Sequence, residues 1–415
     1  MSDVKLNPYA ALQIRDYRQF IFARLCITLA IQIQATVVGW QIYEITKDPL
    51  SLGLIGLAEA IPAISVSLYA GHIADIVDRK KIIILTIFIL LICSTALLFF
   101  TVQPDEFFSS HGVFPIYAII FVSGFARGFL SPANFSFMPQ LVTRNLYSNA
   151  VTLNSTFWQA AAIGGPMLAG FIYGFLGITA SYFADTVLVI ASMVFYFSIP
   201  NRPVPPPSTE HGNGAVEKIK AGLKFVFSNQ IILSAISLDL FAVLFGGAVA
   251  LLPIFAAEIL KVGPEGLGIL RAAPAVGAFA MAIIITHYPI QRNVGKTLLW
   301  AVGGFGVSMI CFGLSTNFWL SLFVLFLSGV FDSVSVIVRG TLIHTLTPEN
   351  MKGRVSAVNS IFVGSSNEIG AFESGSTAKL FGVVQSVVFG GIMTVAVVSI
   401  TGWKAAKLRA LHKVE

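Results

Sequence analysis

The sequence predicts an all-α polytopic membrane protein with twelve transmembrane helices arranged as two six-helix bundles. Three observations lead to this fold class. Of the 415 residues, 56% are hydrophobic and only 11% are charged, a balance that ordinary soluble proteins do not have. The apolar residues form twelve runs, each long enough to cross a bilayer at roughly 20 residues per span. The runs fall into two sets of six around a polar interval, and the two sets resemble each other in sequence.

The apolar runs set the domain organisation. In the first half of the chain they lie near 20–43, 51–73, 82–101, 113–132, 148–175 and 178–199. In the second half they lie near 231–257, 266–286, 297–314, 318–339, 354–377 and 380–402. We therefore predict a cytoplasmic segment at 1–19, a helical bundle at 20–199, a linker with an interfacial helix at 200–230, a second bundle at 231–402 and a cytoplasmic tail at 403–415.

A polar interval and an internal repeat mark the boundary between the halves. Residues 200–214, PNRPVPPPSTEHGNG, contain too few apolar side chains to pack a core and should form an extended linker. Shifting the sequence by 205 residues places Asn154 on Asn359 and Gly165 on Gly370, so the fourth and fifth runs recur as the tenth and eleventh. Two halves in the same orientation are the parallel repeat of some secondary transporters.

The basic residues indicate how the chain crosses the membrane. The formal net charge of +6 could by itself suggest nucleic acid. If the N-terminus is inside, however, the outward loops carry only Lys47, Lys261 and Lys379, and the other basic residues outside the runs lie inside. Inward loops are enriched in Lys and Arg. The asymmetry therefore predicts cytoplasmic termini and a lipid bilayer, not nucleic acid, as the partner.

A short polar stretch, GHIADIVDRKK at 71–81, separates the second and third runs. A loop this short makes the two flanking helices antiparallel neighbours. Gly71 permits close helix approach, Asp75 can accept a hydrogen bond from a neighbouring helix N-terminus, and Arg79 helps to hold the loop inside. The stretch therefore combines a packing role with an electrostatic one.

This stretch resembles the loop after the second helix in the major facilitator superfamily, which follows roughly G-x-L-A-D-R-x-G-R-K. Ile76 and Asp78 depart from the basic residue and the glycine of that pattern. The resemblance implies an inner-gate motif formed by Gly71, Asp75, Arg79 and Lys80.

Polar and charged residues inside the apolar runs are candidates for transport chemistry. An ionisable side chain in a span costs on the order of 2.5–3.5 kcal/mol, so it normally faces the protein interior and has a partner or a task. The candidates for proton coupling or for the transport path are Glu59, Arg127, Asp239, Asp332, Glu368 and Glu373. Asp185 also lies inside a run, and Arg24, Arg271 and Arg339 are possible partners.

Glu368 and Asp239 are the first two coupling candidates among these residues. Gln34 and Gln41 lie on one helical face and are candidate cavity-lining residues. A structural ion pair or hydrogen bond is the alternative interpretation for each of the polar residues.

The fifth run contains the stretch GGPMLAG at 164–170. Pro166 removes a backbone hydrogen-bond donor, while Gly164, Gly165 and Gly170 let a second helix approach closely. The stretch resembles the glycine and proline motif of antiporter-type exporters within the superfamily. Ordinary packing of small residues is the alternative.

Enzyme classes find no support in the sequence. It contains no G-x-S-x-G, no P-loop and no H-E-x-x-H motif. Cys26, Cys93 and Cys311 are far apart and lack metal-ligand spacing. We expect no enzymatic activity, no metal and no organic cofactor.

Longer strings resemble one branch of the superfamily, that of macrolide efflux proteins and the enterobactin exporter. They are YEITKDPLSLGL at 43–54, ARGFLSPANFSFMPQLV at 126–142, TLIHTLTPENMKGRV at 341–355 and the PPP linker followed by AGLKFVFS. The resemblance implies alternating access and proton-coupled export of an amphipathic small molecule, drug-like or siderophore-like. We expect a monomer in the inner membrane.

Two other functions stay open at this point. The first is an importer, a lipid-moving protein or a facilitative transporter of the same fold. The second, from another class, is a membrane scaffold or sensor that transports nothing. Charge-neutralising changes separate the two classes, because only a transporter needs its buried charges for activity.

Overall fold

The computed structural model describes residues 9–101, 112–202, 215–290, 292–348 and 351–411, and within these ranges the chain is helical, without a strand. The long helices of the first half are α1 (Arg15–Thr46), α2 (Pro49–Ile76), α3 (Arg79–Phe100), α4 (Phe114–Phe137) and α5 (Tyr147–Phe197). Short 3-10 turns occupy Ala10–Gln13, Met138–Gln140 and Arg144–Leu146.

The second half begins with an amphipathic helix and continues with six long segments. The helices are α6 (Ala215–Ser228), α7 (Gln230–Phe245), α8 (Gly263–His287), α9 (Val294–Leu314), α10 (Phe318–Leu346), α11 (Lys352–Phe381) and α12 (Val383–Lys404). Between α7 and α8 the chain forms a 3-10 turn at Ala248–Leu251, an α-helical turn at Leu252–Ile254 and a π-turn at Phe255–Ile259. A last short helix spans Ala406–Arg409.

The described helices account for the twelve predicted spans. Ten segments within the described residues are long and apolar enough to cross a membrane. One of them contains α5, which comprises two arms because Gly177, with φ 84° and ψ 178°, breaks the helix in a conformation that favours glycine. The 30-residue α11 is long enough for a further span but is more polar. The predicted all-α, twelve-helix fold class is confirmed.

The chain divides into two compact units. The first contains the described residues of Met1–Val38 and Ile61–Glu210. Its core includes the buried ring of Phe20, which packs edge-on against Phe137 and Tyr196 with centroid distances of 6.1 Å. Edge-on packing is a favoured arrangement of aromatic rings. These contacts hold the beginning of α1 against the ends of α4 and α5.

The second unit contains Gly39–Ala60 and the described residues of His211–Glu415. We call residues 39–60 the 39–60 hairpin; it comprises the end of α1, the turn at Lys47 and Asp48, and the beginning of α2. The predicted domain boundaries assign these residues to the first bundle, and those boundaries stay a prediction.

Helix α6 belongs to the second unit. Val226 of α6 is buried in one apolar cluster with Val355 and Val358 of α11, as expected for the apolar side of an amphipathic helix. Residues 203–214 of the predicted linker lie outside the described residues. The helix that follows the linker is therefore fixed by packing against a transmembrane helix.

The internal repeat corresponds to equivalent packing in the two units. In the first unit, a Cβ built on Gly165 of α5 would lie 2.5 Å from the Cβ of Gln32 on α1. In the second unit, a Cβ built on Gly370 of α11 would lie 2.8 Å from the carbonyl oxygen of Leu244 on α7. The aligned glycines thus bring the fifth span onto the first and the eleventh onto the seventh.

Candidate functional site

A buried ion pair joins α7 to α10 in the second unit. The guanidinium of Arg339 contacts a carboxylate oxygen of Asp239, and each residue is only 4% exposed. Charges taken out of water are tolerated when they are paired, and removing one partner leaves the other uncompensated. The pair therefore links two membrane-spanning helices through an interaction that depends on both charges.

Asp332 lies beside this ion pair. It precedes Arg339 by seven residues on α10, so the two side chains share a helical face. A narrow cavity with room for about one water molecule is lined by Asp239, Ala242, Val243, Val302, Phe305, Phe331, Asp332 and Ser335. We call Asp239, Asp332 and Arg339 the Arg339 cluster; it unites two of the predicted carboxylates.

A second charged cluster lies where the 39–60 hairpin meets α8 and α11. The charges of Glu59 and Glu368 both act on the guanidinium of Arg271. A Cβ built on Gly56 of the hairpin would lie 2.9 Å from the carbonyl oxygen of Glu368 and 3.4 Å from its Oε2, so the backbones are closely packed here. We call Glu59, Arg271 and Glu368 the Arg271 cluster. Two predicted carboxylates from distant helices thus act on the same cation.

Two further contacts tie the 39–60 hairpin to the second unit. The Tyr43 hydroxyl donates a hydrogen bond to the carboxylate of Glu258 in the π-turn. The ammonium of Lys379 lies 3.2 Å from Oδ2 of Asp48. Sequence reasoning missed both contacts, because a tyrosine or a carboxylate near the end of an apolar run carries no signal of a distant partner.

The seventh span is interrupted close to Glu368. Helix α7 ends at Phe245, and Gly246 and Gly247 precede the next turn. A Cβ built on Gly247 would lie 2.5 Å from the carbonyl oxygen of Gly370 and 2.6 Å from the Ser374 hydroxyl. Interruptions and π-turns in helices frequently occur at functional positions. The break lets the seventh span pack directly on the backbone of α11.

The predicted inner-gate residues lie between α2 and α3. Gly71 and Asp75 are described by their helical backbone alone, and Arg79 is the first residue of α3. Lys80 is 6% exposed, and its ammonium donates a hydrogen bond to the Ile199 carbonyl just beyond α5. A cation is favourable at a helix C-terminus, where carbonyl groups lack partners. Lys80 therefore fastens α3 to the end of α5, and a gating role stays a prediction.

Asp78, which departs from the family pattern, has a local role. Its carboxylate accepts a hydrogen bond from the backbone N–H of Lys80 at 3.0 Å and caps the N-terminus of α3. A capping aspartate satisfies a backbone donor that the helix itself cannot pair. The departure from glycine thus stabilises the turn into α3.

The GGPMLAG stretch lies in the first arm of α5, where it faces α1. Gly165, Pro166 and Gly170 are buried, and the proline is inside the helix. Gly165 makes the close approach to Gln32, whereas a Cβ built on Gly164 would lie 3.9 Å from Cδ2 of Leu29. The stretch therefore contains one glycine that close packing requires and a neighbour with more space. An antiporter role stays a prediction.

We expect Gly165→Ala to destabilise the protein by about 1–3 kcal/mol, the usual cost of overpacking, because the new methyl group would lie 2.5 Å from the Gln32 Cβ. Gly164→Ala is the matched control, since it adds the same methyl group at ordinary contact distance. Unfolding titrations of the two purified variants in detergent measure the difference. Equal losses of stability in both would contradict a specific contact at Gly165.

The remaining predicted residues occupy separate positions. Gln34 in the first unit and Gln41 in the second are each 5% exposed. Arg127 is partly buried in α4. Glu373, partly buried in α11, accepts a 3.5 Å hydrogen bond from the hydroxyl of Ser374. The roles of these four residues in cavity lining and transport stay predictions.

Asp185 is a buried carboxylate outside both charged clusters. It lies in the second arm of α5, is 1% exposed and is hydrogen-bonded to Ser94 of α3. Its Oδ2 atom has no hydrogen-bond partner among the residues that the structure describes. The first unit thus contains a buried acid of its own. In the sequence, the position of Asp185 inside an apolar run was the only feature that indicated a buried carboxylate here.

Comparisons with known proteins give the family. The model of the Major Facilitator Superfamily matches residues 20–371. The chain is similar to the enterobactin exporter EntS of Shigella dysenteriae serotype 1 (strain Sd197), with 24% identity over 348 residues, 82% of this chain and 80% of the relative. The enterobactin exporter EntS of Escherichia coli O81 (strain ED1a) matches with the same identity and the same coverage.

Solved structures agree with the family at the level of the fold. A POT family transporter in complex with 5-aminolevulinic acid gives a TM-score of 0.73 at 12% identity, covering 95% of this chain and 96% of that one. A D-xylose-proton symporter gives 0.72 at 14% identity, covering 94% and 98%. A bacterial homologue of the iron transporter ferroportin in an inward-facing state gives 0.70 at 16% identity, covering 96% and 99%. The chain belongs to the Major Facilitator Superfamily, a family of membrane transporters and not of enzymes.

Proposed function

We propose that this transporter exports an amphipathic, siderophore-like or drug-like small molecule in exchange for protons. The observation that carries the proposal is the presence of two charged clusters, the Arg339 cluster and the Arg271 cluster, inside membrane-spanning helices of the second unit. Ionisable groups in such places are costly and usually mark substrate, ion or proton pathways. Sequence similarity to enterobactin exporters supports the outward direction and the class of substrate.

The chemistry of coupling follows from the pairing of carboxylates with arginine. A buried carboxylate keeps its charge beside a cation and binds a proton more readily when the cation moves away. Moving one charge through the membrane potential is worth about 2.3 kcal/mol per 100 mV. One or two carboxylates whose surroundings alternate are therefore sufficient to couple proton entry to export.

The 39–60 hairpin provides a route from protonation to movement. It carries Glu59 into the Arg271 cluster, whereas Glu368 comes from α11. Movement of the hairpin away from α8 and α11 would carry Glu59 away from Arg271, whereas Glu368 on α11 would keep Arg271 as its cation. Protonation then favours the separated state, and deprotonation favours the packed one. In the predicted topology this hairpin lies at the outer face.

The proposal includes a defined setting in the membrane. The protein acts as a monomer in the inner membrane, with both termini in the cytoplasm, as the distribution of basic residues favours. Lys80 and the other inner-gate residues then lie at the cytoplasmic end of the first unit, where the hydrogen bond of Lys80 to Ile199 stabilises the junction of α3 and α5.

The test is proton movement in proteoliposomes on addition of amphipathic compounds and catecholate siderophores. We expect substrate-dependent proton flux in the wild type and a fall of about tenfold or more in Glu368→Gln and Asp239→Asn, since each variant removes a titrating group. Glu44→Gln is the matched control. Glu44 is an exposed carboxylate on α1 that accepts a 2.6 Å hydrogen bond from Trp40, and its neutralisation should leave the flux unchanged.

Each alternative function predicts a different result in this assay. Unchanged flux in both cluster variants would remove these carboxylates from the coupling mechanism. Substrate movement without proton flux would favour a facilitative transporter, and net uptake against a gradient would favour an importer. Absence of any substrate movement, with normal abundance in the membrane, would support a scaffold or sensor.

A further inference from the structure

Helices α9 and α12 of the second unit form a closely packed antiparallel pair. A Cβ built on Gly402, near the end of α12, would lie 3.7 Å from Cδ1 of Leu299, near the start of α9. A Cβ built on Gly313, at the other end of α9, would lie 3.2 Å from Cγ1 of Val387. In the topology that the basic residues predict, the end of the pair with Leu299 and Gly402 lies at the cytoplasmic face of the membrane.

Two exposed tryptophans lie at this end of the pair. Trp300 is 80% exposed and Trp403 is 76% exposed, and each directly follows one of the contact residues Leu299 and Gly402. One position along a helix is a rotation of about 100°. Because the two helices run in opposite directions, this rotation turns both side chains toward the same face of the pair. Tryptophan is favoured at the boundary between lipid and water, so the two rings mark where this face meets the surface of the bilayer.

The same face is exposed and apolar deeper along the pair. Val307 follows Trp300 by seven residues, and Ile392 precedes Trp403 by eleven. These spacings are about two and three helical turns, so both side chains lie on the face of the tryptophans. Val307 is 51% exposed and Ile392 is 52% exposed. The face therefore offers an apolar surface to acyl chains beyond the two rings.

The chain after α12 folds back onto the beginning of α9. Leu408 in the last short helix is fully buried, and a Cβ built on Gly295 would overlap its carbonyl group. The backbone N–H of Gly295 donates a 3.2 Å hydrogen bond to the Leu411 carbonyl. The guanidinium of Arg409 donates a 3.2 Å hydrogen bond to the Gly402 carbonyl near the end of α12. The short helix is therefore fixed at the end of the pair that carries the tryptophans.

This arrangement collects four exposed cations at one end of the pair. They are Lys296, Lys404, Lys407 and Arg409. The sequence contains no aspartate or glutamate at 266–331 or at 374–414, so α9, α12 and the short helix supply no anion of their own. Among the residues that the structure describes, none of the four cations forms an ion pair. Their charge therefore favours an anion from outside the chain.

An acidic phospholipid matches each part of this face. A guanidinium binds phosphate through paired hydrogen bonds, and basic pockets between membrane helices on the cytoplasmic side bind acidic headgroups. We propose that the face of α9 and α12 binds an acidic phospholipid, with the phosphate at Lys296 and Arg409 and the acyl chains along Val307 and Ile392. A soluble anion would use the cations but not the exposed apolar surface. The site lies apart from both charged clusters and does not depend on the proposed function.

The test is tryptophan fluorescence, because bromine atoms on an acyl chain quench a nearby ring. The full-length protein is placed in nanodiscs of phosphatidylcholine and phosphatidylglycerol, with bromine on one lipid or the other. We expect a relative binding constant of about tenfold or more in favour of phosphatidylglycerol. Trp300→Phe and Trp403→Phe should each remove part of the preferential quenching. Trp319→Phe is the matched control, since Trp319 is 73% exposed but α10 has no Lys or Arg before Arg339.

The double variant Lys296→Gln/Arg409→Gln tests the contribution of charge. It should lower the preference for phosphatidylglycerol by at least about fivefold, the factor equivalent to about 1 kcal/mol, which one cation near an acidic membrane surface contributes. Arg15→Gln/Arg18→Gln is the matched control. It removes the same charge from two exposed arginines of the first unit and should leave the preference unchanged.

A second double variant keeps the test decisive if the first does not fold. Lys404→Gln/Lys407→Gln removes the other two cations and should also lower the preference, and unfolding curves that match the wild type establish that a variant is folded. Four results would overturn the inference. They are no preference in the wild type, an equal loss in the control pair of arginines, an unchanged preference in both cation variants, or displacement of the brominated lipid by inorganic phosphate, which would identify a site for soluble anions.

The proposed function fails separately from this inference. A preference for phosphatidylglycerol that depends on Lys296 and Arg409, without substrate-dependent proton flux in liposomes, would overturn antiport alone. Proton flux without any preference between the two lipids would overturn the lipid site alone.

Discussion

Replacing Arg339 by glutamine is expected to lower the free energy of unfolding by about 3–5 kcal/mol, the usual cost of removing one member of a buried ion pair. The variant leaves the carboxylate of Asp239, which is 4% exposed, without its cation. Water cannot compensate the charge at this depth, and the neighbouring cavity has room for about one water molecule. Unfolding titrations in detergent measure the change.

The double variant Arg339→Gln/Asp239→Asn distinguishes an unpaired charge from lost packing. Neutral side chains of similar shape can replace a buried ion pair at small cost, so the double variant should recover most of the stability. Arg409→Gln, at an exposed arginine that donates a 3.2 Å hydrogen bond to the Gly402 carbonyl, should change stability by no more than about 0.5 kcal/mol. A double variant as unstable as Arg339→Gln would mean that Asp239 is not the group left uncompensated.

The twelve-helix fold could be predicted because the bilayer imposes a simple rule on the sequence. Every span must satisfy its own backbone and present apolar side chains over a fixed length, so the number of runs follows from composition. The helix ends were less predictable. Helix α10 continues to Leu346, beyond the predicted end at 339, because polar residues near a span end do not by themselves stop a helix.

The interruption of the seventh span was not predictable from hydropathy. The run at 231–257 is apolar throughout, so it indicates one continuous helix, although α7 ends at Phe245. Gly246 and Gly247 were the available signal, but paired glycines also occur in unbroken helices, as Gly303 and Gly304 do in α9. The break depends on the backbone of α11 packing against it, which is a tertiary contact.

The candidate charged residues could be predicted, whereas their grouping could not. A carboxylate in an apolar run stands out because it is costly there, and this signal identified Glu59, Asp239, Asp332 and Glu368. Which arginine each one meets depends on how distant helices cross. Arg271 was one of several possible partners in the sequence, and only the packing of α2, α8 and α11 brings it within electrostatic reach of both Glu59 and Glu368.

The second large effect is expected at Arg271. Arg271→Gln leaves Glu59 and Glu368 without their common cation, so the two carboxylates repel each other and at least one is uncompensated. We expect substrate-driven proton flux to fall by about tenfold or more, and stability to fall by about 3–5 kcal/mol, as for other buried charge networks that lose a member. Flux in proteoliposomes and unfolding in detergent measure the two effects.

Second-site changes identify the carboxylate that Arg271 neutralises. Arg271→Gln/Glu59→Gln and Arg271→Gln/Glu368→Gln each remove one negative charge from the Arg271 cluster, and Arg271→Gln/Glu44→Gln removes an exposed one as the matched control. The double variant that regains stability contains the partner of Arg271. If all three double variants are as unstable as Arg271→Gln, neither carboxylate depends on this arginine.

The decisive combination is recovered stability without recovered flux. Stability requires only that no charge is left uncompensated, so a neutral glutamine satisfies it. Coupling requires more, because the same group must be ionised beside the cation in one state and protonated away from it in the other. If Arg271→Gln/Glu368→Gln folds like the wild type and still moves no protons, Glu368 is the carboxylate that Arg271 neutralises, and coupling requires the charges of the Arg271 cluster. If proton flux returns together with stability, the Arg271 cluster is a structural element, and the coupling group lies elsewhere, with the Arg339 cluster as the next candidate.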